Sequence, residues 1–106
     1  MRLLTFNVDS QHICKDPNCD FTNIVAGTNS YLRAKFTFSD EWRDCVKVAS
    51  FWRGEKEQAV LLNSDGTCDI PHQVLSGASF RVSVIGQKQN YRITTNRIVV
   101  RQEVFR

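Results

Sequence analysis

The segment from Tyr31 to Gly54, YLRAKFTFSDEWRDCVKVASFWRG, constrains the fold of this chain more than any other stretch. Leu32, Ala34, Phe36 and Phe38 alternate with Arg33, Lys35 and Thr37, the period of two that a strand shows when one face is buried and the other is wet. Ser39-Asp40-Glu41-Trp42 breaks the alternation. Ser39 is a short polar residue suited to capping one helical turn, from which Trp42 can swing its indole over the end of the core. Cys45 to Phe51 then resumes a β-rich run. Two strands joined by a Trp-bearing corner predict the folding centre of a small β-domain, and the segment holds no catalytic grouping.

A chain of 106 residues can build one core and is too short for a second, so residues 1–106 are read as one domain. With 42% hydrophobic and 24% charged residues the composition is that of an ordinary globular protein, and no apolar run approaches the ~20 residues that cross a bilayer. No membrane association is expected. The opening MRLLTFNVDSQ carries neither an apolar h-region nor a small-residue cleavage site, which predicts residence in a cytosol. Under reducing conditions Cys14, Cys19, Cys45 and Cys68 are expected as free thiols rather than a disulfide framework.

Leu4, Phe6 and Val8 predict a first strand that ties the start of the chain into a sheet. Asp9 to Asn23 is polar, carries a proline and lacks periodicity, so it reads as a long loop. Ile24 to Ala26 is read as a short strand fragment before a turn. Arg53-Gly54-Glu55-Lys56 is a turn, and Gln58 to Leu62 pairs back as a hairpin. Asp65-Gly66 marks a further turn, Thr67 to Ile70 is a strand, and Pro71 opens a helical turn. Phe80, Val82 and Val84 define another strand closed by Gly86, with Gln87 to Asn90 as a loop. Tyr91 to Thr94 and Ile98 to Phe105 are the last strands, separated by a bend at Asn96. About eight short strands with one or two helical turns predict an all-β fold, an antiparallel β-sandwich of Ig-like or jelly-roll-like type, or a small barrel. The expected core includes Phe36, Phe38, Trp42, Phe51, Ile70, Phe80, Val82 and Val84.

His12, Cys14 and Cys19 form the one candidate metal set, His-x-Cys followed by a second Cys in the same loop, with His72 or an Asp as a fourth ligand. Their spacing is not that of a standard zinc knuckle, and reduced, partly buried thiols are the preferred reading, with no cofactor assigned. Cys45 and Cys68 sit in strand-like surroundings as small core hydrophobes. The two histidines lie in loop or turn sequence, and Asp40/Glu41 and Glu55/Glu57 read as a cap and a solvated turn, so no enzymatic activity is expected.

Arg92, Arg97, Arg101 and Arg106, with Lys88, gather positive charge near the end of a chain whose net charge is only +3. Beside Tyr91 they would suit a small barrel binding single-stranded nucleic acid. Arg97 and Arg101 alternate with Val99 on one strand face and Glu103 follows on it, which is also what an ordinary exposed strand carries. Trp42 is expected in the core, whereas Trp52 next to Arg53 is either core or part of a protein interface or sugar-stacking site. Trp52, Arg53, Arg97 and Arg101 are thus the candidate interface residues.

Phe36-Thr37-Phe38-Ser39-Asp40-Glu41-Trp42, then Phe51, Gly66-Thr67-Cys68-Asp69-Ile70-Pro71, Phe80 to Gly86 and Thr94-Thr95-Asn96 follow one another in an order that resembles small β-sandwich modules of tailed-bacteriophage virion proteins. Such modules stand at the N-termini of baseplate upper proteins, tail fibres and head fibres, where they dock a fibre onto the particle. The similarity spans about residues 31 to 100 and leaves out the Cys14 to Cys19 loop. It implies a non-enzymatic structural protein that docks onto or decorates a capsid or a tail and baseplate. Its partners would be virion proteins and its copies a homo-oligomer or symmetric array, found in the virion and, before assembly, in the host cytoplasm. Fibre proteins continue into a shaft or receptor-binding head, so a chain stopping at Arg106 fits a decorating or joining protein better. Single-stranded nucleic-acid binding is the alternative from a different class, and carbohydrate binding ranks after it.

Overall fold

A computed structural model describes residues 1–105. Nine strands occupy them: β1 (Arg2–Asp9), β2 (His12–Lys15), β3 (Leu32–Phe38), β4 (Val46–Arg53), β5 (Lys56–Leu61), β6 (Thr67–Asp69), β7 (Ser79–Lys88), β8 (Tyr91–Thr94) and β9 (Ile98–Arg101). Single 3-10 turns at Asp40–Trp42 and His72–Val74 are the helical elements among the described residues. The strands form a β-sandwich of two sheets. One has the order β2-β1-β3-β6; the other runs β5-β4-β7-β8, with β9 also on β7.

Alternation dictates which residues meet between the layers. Leu4, Phe6 and Val8 of β1 lie level with Ala34, Phe36 and Phe38 of β3, and the Phe6 and Phe36 rings stack 5.3 Å apart. Ala49, Phe51, Phe80, Val82, Val84 and Val100 face them from the other sheet with almost no exposure. Trp42 is sealed over one end, its Nε1 donating to the Ser10 carbonyl at 2.9 Å. Every expected core residue is buried except Phe38, which is half-buried under the Lys47 ammonium. Cys45 and Cys68 are buried, the latter with its thiol pushed up to about 12, chiefly by burial.

Several boundaries differ from expectation. Asp9 to Asn23 is not all loop: Ser10 takes a positive φ of 53°, and β2 folds back so that Ile13, 1% exposed, packs opposite Val8. Gly86 does not end β7. It lies inside the strand because Trp42 rests on it so closely that a Cβ there would stand 2.7 Å from the ring. The loop between β7 and β8 is accordingly only Gln89-Asn90. The last strand ends at Arg101; beyond it the chain bonds residues 24–26, with the Glu103 N–H donating to the Ile24 carbonyl at 2.7 Å. Ser39 makes no side-chain cap of the first 3-10 turn, since its hydroxyl accepts the Ser10 N–H instead. Six of the seven strand pairs are antiparallel, and β1 with β3 is the parallel one.

The tight turn before β6 needs glycine. Gly66 has φ +81°, and a Cβ there would come within 2.6 Å of the Phe36 carbonyl oxygen. Asp65 accepts both the N–H and the hydroxyl of Thr67, which holds its carboxyl below the ordinary range; Asp20 repeats the device on Thr22.

Candidate functional site

The outer face of the five-stranded sheet is the surface on which sequence-expected residues meet. Register builds it row by row. Leu61, Val48, Ile85 and Thr94 stand side by side across β5, β4, β7 and β8. The next row carries Ala59, Ser50 and Ser83, and the one after it Glu57, Trp52, Arg81 and Val99. Ser79 and Arg101 lie beyond these, and Val46, Gln87 and Arg92 at the opposite end.

Trp52 is neither core nor free. Its ring lies half-buried on the sheet with Nε1 donating to Ser83 Oγ at 3.2 Å, and the Arg97 guanidinium carbon sits 3.7 Å above the ring centroid. Such a stack is worth about 0.5–1 kcal/mol where water reaches it. The arrangement explains why Ser50 and Ser83, on the outer face, are 0% and 6% exposed. The Ser50 hydroxyl donates to the Glu57 carboxylate, the one acidic group within these rows.

Trp52, Arg97 and Arg101 therefore share one face. Arg53 does not: as the neighbour of Trp52 it has the opposite parity, and its guanidinium lies at the end of the sandwich against Gly77. Arg92, grouped with Arg97 and Arg101 in the sequence, belongs to the face, and Arg81 joins them although nothing in the sequence grouped it there, since the register of β7 with β9 has no local signal. Among the described residues none of Arg81, Arg92, Arg97 and Arg101 is in an ion pair. Arg106, counted with them in the sequence, lies outside the described residues. One end of the face is aliphatic: Val46 and Leu61 are 62% and 64% exposed, and a shallow concavity of about 510 Å³ opens between Val46, Val48, Ile85 and Arg92.

His12, Cys14 and Cys19 form no metal set, and among the described residues no group of three His, Cys, Asp or Glu converges. His12 and Cys14 stand opposite Asp9 and Asn7, whereas Cys19 Sγ accepts the Thr5 N–H at 3.4 Å, closing the edge of β1 where β2 has left it. His72 lies just beyond Ile70, the residue after β6, whose N–H bonds the Leu32 carbonyl beside Arg2, placing His72 at the end of the sheet away from His12.

Edges matter as much as faces in a small sandwich. In β2 both backbone groups of Ile13 are taken by the Asn96 side chain, whose Oδ1 accepts the N–H at 2.8 Å and whose Nδ2 donates to the carbonyl at 3.3 Å. In β6 the Thr67 N–H meets Asp65 and its carbonyl accepts the Asn63 N–H. The strand beside β7 is split into β8 and β9, with Thr95 N–H and Oγ1 bridging the gap onto Val84. The edge of β5 is open. The Leu62 N–H bonds the Lys47 carbonyl, so by antiparallel alternation Glu57, Ala59 and Leu61 turn their backbone groups away from β4. No partner meets them among the described residues.

No family model matches the chain, and a search of curated proteins finds no match.

Proposed function

We propose that this protein is a non-enzymatic docking module that attaches to a larger protein assembly, a bacteriophage particle being the assembly its sequence resemblance indicates. The observation that carries the reading is the open β5 edge: six residues without proline or bulge, beside three edges that are capped or broken. An extended segment of a partner completes such an edge by main-chain hydrogen bonds, and the side chains beside it give specificity. In a symmetric particle, linked copies raise firm attachment from weak single contacts.

Single-stranded nucleic-acid binding is the second reading, favoured by four arginines sharing a face with Trp52. Two contacts weigh against it. Arg97 already covers Trp52, and Tyr91 is held under Lys88 with its hydroxyl donating to the Glu41 carbonyl at 3.2 Å, so neither ring is free to stack a base.

Mass spectrometry of gradient-purified particles tests the proposal. The protein should be recovered with the particles in a fixed ratio to the capsid protein. Abundance in infected cells with absence from intact particles would overturn it and promote the nucleic-acid reading.

A further inference from the structure

The arginine-bearing face differs from the β5 edge in what it offers. It presents four arginines, in no ion pair among the described residues, and its paired rows hold one carboxylate, Glu57, which is engaged by Ser50. Stacking of Arg97 on Trp52 occupies the flat side of the guanidinium and leaves its N–H edge for an acceptor. At one end Val46, Val48 and Ile85 border a concavity with Arg92 on its rim. Exposed aliphatic groups beside unpaired cations are complementary to a surface that mixes apolar and acidic side chains.

We propose that the outer face of the five-stranded sheet binds an acidic segment of a partner protein, seating an apolar side chain between Val46, Val48 and Ile85 while its carboxylates reach Arg92, Arg97 and Arg101. This names the chemistry of the partner and rests on the docking reading. A second copy of the chain is the poorer occupant, because face-to-face packing sets arginine against arginine. Nucleic acid is poorer too, because the aliphatic end has no ring to stack a base and Trp52 is covered.

Binding to the full chain can be followed by Trp52 emission, since Trp42 is sealed from solvent. Three probes suffice: an amphipathic peptide of Leu and Glu, its counterpart with Lys for Glu, and oligo-dT. The Leu/Glu peptide should bind at least about tenfold more tightly than the Leu/Lys peptide. Arg92→Glu combined with Arg101→Glu should weaken it about tenfold, and Val46→Asp should weaken it also, with thermal melts unchanged. Arg53→Glu, off this face, should leave it unaltered. Equal binding of the Leu/Lys peptide, tighter binding of oligo-dT, no binding of the Leu/Glu peptide, or an equal loss in Arg53→Glu would each overturn the inference. Should the Leu/Glu peptide fail while the protein remains on purified particles, the docking reading stands and this face alone falls.

Discussion

Phe80 shows how much one side chain carries. It is 1% exposed with its ring 6.5 Å from that of Phe51, and truncation to Ala should cost about 3–5 kcal/mol in a denaturant titration. Gly86→Ala tests the opposite error. The added methyl meets Trp42, which is walled in, so a loss of about 1–3 kcal/mol is expected from overpacking. Cys68 is buried and its thiol ionises only near 12, so alkylation at mildly basic pH, read by mass spectrometry, should label Cys14 and Cys19 well before it. For Asp65 the sign follows from its partners. Its carboxyl is held below the ordinary 3.8 in the folded chain by Thr67, so the stabilisation is full above that value and fades as pH falls through the lower folded one. Asp65→Asn should flatten the acid side of the stability curve.

At the scale of elements, β5 allows a paired test. Ala59 turns its N–H outward, so Ala59→Pro should leave the fold intact while blocking strand addition; Val60→Pro removes a bond to β4 and should destabilise the sheet by about 3 kcal/mol or more. Circular dichroism and particle recovery separate the two outcomes, and an Ala59→Pro chain that still attaches would remove the β5 edge from the docking account. Strands with sustained alternation, β1, β3, β4 and β7, were legible in the sequence because each lays one apolar face on the core. β2 was not, because Ile13 is its single buried residue among four. Ile98 to Phe105 looked like one strand because no glycine, proline or other turn residue interrupts it, but beyond Arg101 the backbone leaves β7 to bond residues 24–26. Of the candidate interface, Arg97 and Arg101 were legible as one face by strand parity, Trp52 joins them only through the register of β4 with β7 and of β7 with β9, and Arg53 failed as the neighbour of opposite parity. Arg92 was legible beside Arg97 and Arg101 as part of the positive charge near the chain end, whereas Arg81 needed cross-strand register, which no local pattern encodes. Nothing in the spacing of His12, Cys14 and Cys19 revealed that Cys19 serves as an edge acceptor.

Across the whole molecule, the Asn96 amide imitates a strand, offering Ile13 one acceptor and one donor where a neighbouring backbone would stand. It does so from the other sheet. With the Glu103 bonds to Ile24 and Ala26 and the Trp42 bond to Ser10, it couples the layers through polar contacts as well as through the core. Neither layer can melt first without stranding those groups, so calorimetry should show a single transition whose van't Hoff and calorimetric enthalpies agree. Asn96→Ala should lower the midpoint by removing about 1–3 kcal/mol. The Ile13 amide then becomes a stopwatch for the entire domain. Its proton should exchange only when everything opens, and in Asn96→Ala it should run ahead of the Phe51 amide by orders of magnitude.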